Sequence, residues 1–282
     1  MKLNNIILVP TDFSEACENA ASHAINIAKI ANFKVILLHV INKDSYAHFP
    51  GEKDIVSAVE KKLKQAGADL KRQVQGLEVD YMFQEGSIFD LIHETATEVG
   101  ANMILLATHG KKGIQHVVGS YALKVITRAQ VPTIVVQKKA YAGYKNIMLP
   151  VNSFTEPRQM VSFAISIAHK FNSTIHIFKE TVNDAGEMSR IDIITRQIME
   201  MFKKAGVHCE VIVSQKPGES AKEVVDVAVQ KNMDAIIIVT EPQIGTAYFS
   251  LGSWNEKILF NEAQIPVMCI NPIEYGRVFF DF

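Results

Sequence analysis

The sequence predicts an α/β protein made of two tandem, doubly wound halves, each a five-stranded parallel sheet with helices on both faces. Three observations carry this. Short, largely apolar runs, such as those at 34–41 and 104–107, read as strands buried on both sides. They alternate with stretches whose apolar residues return every three or four positions, as in helices lying on a sheet. After residue 145 the whole pattern begins again.

In the first half a strand is expected at 5–10, closed by Thr11-Asp12-Phe13-Ser14, with Ser14 as N-cap of a helix over 16–31. A second buried strand follows at 34–41. The polar passage 42–51 reads as turns, and a charged amphipathic helix is expected over about 54–75. Residues 77–83 alternate apolar and polar, as a strand near a sheet edge does. Gly86-Ser87 opens a helix to about Gly100, and the strand at 104–107 runs into a glycine loop ending at Gly119-Ser120. A helix over 120–129 and a strand over 132–137 close the half. Five alternations imply that ligands bind beyond the carboxyl ends of the strands, where the winding reverses. There the loop carrying Asp12 meets the glycine loop, whose strand-to-helix junction gathers backbone N–H groups suited to a phosphate.

The second half repeats the first. Ser22-His23-Ala24-Ile25-Asn26-Ile27-Ala28 matches Ser162-Phe163-Ala164-Ile165-Ser166-Ile167-Ala168, and Ala129-Gln130-Val131-Pro132 matches Ala263-Gln264-Ile265-Pro266. A period of about 140 residues makes each copy a domain and not a solenoid unit. The expected domains are 1–138, with the glycine loop intact, and 145–272, with a degenerate one; a tail follows at 273–282. The copies diverge where chemistry is expected: Asp12 faces Asn152, His109 faces Glu241, and Gly110 faces Pro242, which has no N–H for a phosphate.

With 48% apolar residues, 21% charged and a net charge of -1, the composition is that of an ordinary globular protein and gives no reason to expect nucleic acid as a partner. No apolar stretch approaches a membrane span, and the opening residues lack a signal-peptide core, so a cytoplasmic protein is expected. Cys17, Cys209 and Cys269 stand far apart without metal-ligand spacing and read as plain thiols. His109 and His116 have no carboxylate or cysteine at ligand spacing and read as surface or phosphate-contacting groups, so no metal site is expected. His39 and His176 read as satisfied core or strand-end residues. Lys111 and Lys112 fit a solvated loop or a phosphate contact. Asp12 has a structural role open to it, an Asx turn before the helix. The tail's Tyr275, Phe279, Phe280 and Phe282 are expected to pack on the body or on a partner subunit. No nucleophile stands with an evident base, and there is neither a GxSxG elbow nor a Walker lysine loop, so no catalytic residue is assigned.

The opening Ile7-Leu8-Val9-Pro10-Thr11-Asp12-Phe13-Ser14, the small-residue helix after it, and Gly119-Ser120 followed by Val131-Pro132 resemble the universal stress protein family, in tandem form, across nearly all of both halves. The resemblance implies the five-stranded fold, pairing through the last strand of each domain (a pseudo-twofold monomer or a homodimer), and a division between members that bind ATP and members that do not. The nucleotide-binding residues it implies are Pro10, Thr11, Asp12, Val40, Ala107, His109, Gly110, Gly119, Ser120 and Tyr121. Asp12 and the Val40 backbone would hold the adenosine, and Gly110, Gly119 and Ser120 the phosphates, with or without Mg. This chain departs from the family's G-x2-G-x9-G-(S/T) loop: Ala107 stands at the first glycine position, and eight residues separate Gly110 from Gly119. The expected function is a stress-response module that binds ATP or another adenine nucleotide in its first half. The alternatives are an interaction module without nucleotide and a slow ATPase or other nucleotide-using enzyme.

Overall fold

In a computed structural model the chain divides into two compact units, Met1–Tyr141 and Ala142–Phe282. The division falls inside the polar stretch 138–145. The structure describes residues 3–108, 116–153, 157–217, 220–240 and 250–271; side chains at 116–121 and 157–159 are not described. The aromatic tail lies outside the described residues.

The first unit runs β1 (Ile6–Pro10), α1 (Glu15–Ala31), β2 (Lys34–Ile41), α2 (Lys43–His48), α3 (Ile55–Gln73), β3 (Val79–Glu85), α4 (Ile88–Glu98), β4 (Met103–Ala107), α5 (His116–Arg128) and β5 (Thr133–Val136). Its strands lie in the order β3-β2-β1-β4-β5, all parallel. The order reverses between β1 and β4, so those two strands flank the switch point. Alternating β3 lies at the edge, as its pattern predicts.

The second unit runs β6 (Asn146–Val151), α6 (Pro157–Phe171), β7 (Thr174–Lys179), α7 (Ala185–Lys204), β8 (Cys209–Val213), α8 (Ser220–Gln230), β9 (Ala235–Val239), α9 (Ser253–Leu259) and β10 (Val267–Ile270). Its order, β8-β7-β6-β9-β10, is also parallel throughout. The α/β fold and its two tandem halves therefore stand as the sequence predicts.

Side-chain chemistry repeats along with the strands. Asn32 ends α1 in the left-handed region at φ 59°, and Asn172 follows α6 at φ 51°. Asparagine tolerates that conformation best among residues with a Cβ. Asn102 accepts the Ile6 N–H (3.0 Å), and its counterpart Asp234 accepts those of Lys145 and Asn146 (2.8 Å each). Each clamp ties the start of a central strand to its neighbour.

Two local expectations change. The passage 42–51 contains α2, because the Asn42 side chain accepts from Asp44 N and Ser45 N while Ser45 Oγ accepts from Asn42 N, a reciprocal capping box. And α5 begins at His116 and not at Ser120. One glycine costs a helix only about 1 kcal/mol, so Gly119 does not delay its start. Among the described residues no helix is long and apolar enough to cross a membrane.

Candidate functional site

Beyond Pro10 the chain turns away from the sheet through side-chain-to-backbone bonds. Thr11 Oγ1 accepts from Phe13 N (3.0 Å), Asp12 Oδ1 from Ser14 N (2.8 Å), and Ser14 Oγ from Cys17 N at the start of α1 (3.4 Å). Asp12 thus makes the Asx turn, and Phe13 takes φ 65°, a left-handed conformation that costs a bulky residue about 1 kcal/mol or more. Stacking against His39 compensates: the rings lie 4.7 Å apart at 23°.

At the switch point Asp12, Ser14, Cys17 and His39 border a cavity of about 700 Å³. Pro10, Thr11, Asp12, Val40 and Ala107, all expected nucleotide contacts, line it. Ile88, Ile92, Leu106, Ala122 and Val125 supply its apolar wall, and α2 contributes Ser45 and His48. A largely apolar cavity with a few convergent polar groups, within the roughly 300–1,000 Å³ of small-molecule sites, suits a ligand with one flat apolar moiety. His109, Gly110, Lys111 and Lys112 lie outside the described residues. Gly119, Ser120 and Tyr121 stand in the opening turns of α5, after its first residue, His116.

Sequence reasoning missed three residues here. Cys17 lines the cavity; burial, and then the charge of Asp12, push its thiol up to about 12, so it is a protonated neighbour of that carboxylate and not a nucleophile. His39 and Ser45 form the second omission. His39 Nδ1 donates to the Thr11 carbonyl (2.7 Å), Nε2 meets Ser45 Oγ (3.0 Å), and Ser45 Oγ reaches the Val40 carbonyl (3.2 Å). Burial lowers the His39 pKa, against its bond to Thr11 and the charge of Asp12. The only sequence signal was a polar residue inside the apolar run 34–41. As expected, His39 is a satisfied buried residue; His176 is satisfied on one side only, its Nε2 lying 3.1 Å from Asn146 Oδ1 while its buried Nδ1 makes no hydrogen bond among the described residues, with Glu210 Oε2 3.5 Å away. Among the described residues no group of three His, Cys, Asp or Glu is arranged to hold a metal ion.

The corresponding crevice of the second unit has other chemistry. Glu180 follows β7 at the position that Val40 takes within β2, Lys179 takes the place of His39, Asn152 that of Asp12 and Val239 that of Ala107. Burial raises the Glu180 pKa above the usual carboxylate range, and a bond from Ser220 opposes the shift. Trp254 Nε1 also donates to Ser220 Oγ, at 2.9 Å.

A family model described as the universal stress protein family matches residues 4–137. The chain is 32% identical over 141 residues to a universal stress protein of Methanocaldococcus jannaschii, an overlap of 47% of this chain and 81% of that protein. It is 27% identical over 153 residues to a second universal stress protein of the same organism, covering 47% and 94%. The solved structure of a universal stress protein from Archaeoglobus fulgidus is similar in fold, with a TM-score of 0.75 at 18% identity over 95% of this chain and 98% of that one.

Proposed function

The chain belongs to the universal stress protein family, and from that premise we propose that its first half binds ATP or another adenine nucleotide, making the protein a regulatory binding module of the cytoplasm and not an enzyme. The observation that carries the reading is the cavity at the β1–β4 switch point, apolar enough for a purine and bordered by Asp12 and Val40. Asp12 is the acceptor for ribose hydroxyls, and the Val40 backbone meets the base. Gly110 and the opening turns of α5, with Gly119 and Ser120, take the phosphates, with or without Mg. The second half, with Val239, Glu241 and Pro242 where the first has Ala107, His109 and Gly110, takes no nucleotide: Pro242 has no N–H for a phosphate and the charge of Glu241 repels one.

Calorimetry with ATP tests this. One nucleotide per chain and a rise in Tm at millimolar ATP are expected. Asp12→Ala should weaken binding roughly 10- to 100-fold, the worth of a hydrogen bond to a charged group, with the circular dichroism unchanged. No rise in Tm and no nucleotide released from the purified protein would overturn it. ATP turnover faster than about 1 s⁻¹ would move the reading to an enzyme.

A further inference from the structure

The backbone of β2 decides what faces the crevice. The Leu38 carbonyl accepts from Thr11 N (2.8 Å), so even-numbered residues of β2 direct their polar groups toward β1, whereas Ile41 directs its carbonyl the other way, to Gly86 N (3.1 Å). Since β1 ends at Pro10, paired with Leu38, the Val40 carbonyl two residues on points past the end of that strand. In the second unit the ladder continues there: Glu180 N donates to the Val151 carbonyl (3.0 Å). In the first, the matching Thr11 carbonyl accepts from the His39 imidazole instead.

The protons around Val40 can be counted. A carbonyl cannot donate, so His39 Nδ1 carries a hydrogen. When the ring is neutral, Nε2 is a bare acceptor and takes the single hydroxyl proton of Ser45. The Val40 carbonyl, 3.2 Å from that oxygen, then receives nothing from it. When the ring is protonated, Nε2 donates into Ser45 Oγ, which also accepts from Asn42 N (3.1 Å), and the hydroxyl proton turns to Val40. The alternative acceptor, Asn42 Oδ1, is farther away at 3.4 Å and already accepts from Asp44 N and Ser45 N.

We propose that His39 and Ser45 form a proton-controlled gate on the Val40 carbonyl, open to a ligand N–H donor when His39 is neutral and capped by the Ser45 hydroxyl when it is charged. The pair thereby determines specificity: the open state selects a base edge bearing an amino group over one bearing an oxo group. That preference rests on the nucleotide reading of the cavity; the gate itself does not. The charged and titratable groups facing His39 are Asp12 from the loop after β1, which favours its protonation, and His48 of α2 and Lys62 of α3, which oppose it. From β3 its register partner is the uncharged Phe83. Burial is the largest influence and holds the ring neutral at neutral pH, so the gate stands open there and closes on acidification.

Two measurements test the gate separately from the ligand. In ligand-free protein, NMR titration should move the Ile41 amide nitrogen, which reports hydrogen bonding at the preceding carbonyl, with the same midpoint as the His39 ring. Ser45→Ala should abolish that movement while His39 still titrates. His39→Gln keeps an N–H donor for Thr11 without a titrating ring and should also remove it. An Ile41 signal that ignores the His39 titration, or follows it equally in Ser45→Ala, overturns the gate. Where ATP binds, the ratio of its affinity to that of inosine triphosphate cancels the titration of the shared triphosphate. Across the His39 midpoint this ratio should fall roughly 3- to 10-fold, the worth of one neutral hydrogen bond. It should stay flat in both variants. A coupled Ile41 signal without any nucleotide binding would leave the gate standing and overturn the nucleotide reading instead.

Discussion

The two halves share strand order, clamps and turn asparagines, yet differ at nearly every position facing the β1–β4 crevice or its counterpart. Asp12 is answered by Asn152, His39 by Lys179, Val40 by Glu180 and Ala107 by Val239. His39 is bonded inward to Thr11 and Ser45, whereas Lys179 reaches sideways to an ion pair with Asp192. The difference teaches that the frame and the crevice answer to separate demands. Frame residues saturate backbone groups that every copy of the fold must satisfy, so they repeat. Crevice residues carry fewer such duties, so the frame leaves them free to differ between the copies.

The largest expected effect comes from breaking the comparison at a frame position where the halves disagree. His23 of α1 lies where α6 has Phe163. Its ring meets the Lys139 carbonyl (3.0 Å) and packs edge-on against Tyr141, holding the chain as it leaves β5. Burial drives its pKa down to about 4, with the Lys139 bond opposing. A histidine that protonates near 6.5 unfolded but only near 4 folded leaves stability intact above 6.5, and that stability is lost as pH falls toward 4. The loss amounts to about 3 kcal/mol between pH 7 and pH 4. His23→Phe should remove most of this acid sensitivity from the first half, measured by denaturant unfolding at both pH values. An unchanged pH dependence would show that other groups carry it.

A smaller effect is expected at Glu223 of α8, which stands where α4 has Leu91. Its carboxylate accepts from Ser214 Oγ, Gln215 N and Lys216 N, closing the turn between β8 and α8. Burial works against its charge, but those three bonds outweigh burial and hold its pKa below the ordinary carboxylate value. This contribution is therefore present above pH 4.5 and lost as pH falls below it. Glu223→Leu imitates the first half but strands the Gln215 N–H, while Lys216 N keeps Ser214 Oγ as an acceptor at 3.3 Å, and should cost about 2 kcal/mol at pH 7. Protection of the Gln215 amide from hydrogen exchange should fall with it.

Much of this was legible in the residues. Unbroken runs such as Ile6–Pro10 revealed buried parallel strands because both faces need apolar side chains, and the alternation at 77–83 marked the edge strand β3. Topology alone placed the Asp12 loop and the loop after β4 at the switch point, whereas Val40 and Ala107 came from the family resemblance; all three residues line the cavity. The roles of His39 and Ser45 were not legible. A histidine in an apolar strand carries no record of which carbonyl lies 28 positions away, and Ser45 gained its role through a six-residue helix read as turns. The early start of α5 was missed for a related reason, since a glycine punctuates a sequence more strongly than it breaks a helix.

The smallest expected effect sharpens the likeness between the halves. Asp234 and Asn102 perform the same clamp, one carboxylate oxygen accepting two backbone N–H groups where an amide oxygen accepts one. Because the neutral side chain already suffices in the first half, Asp234→Asn should keep most of the bonding and cost less than about 1 kcal/mol, whereas Asp234→Ala, leaving both N–H groups without their acceptor, should cost about 1–3 kcal/mol. Amide exchange at Lys145 and Asn146 reads the difference directly: protection retained in the asparagine variant and lost in the alanine variant. If both variants lose it equally, the charge of Asp234 matters more than its oxygen, and the two clamps are alike in position but not in physics.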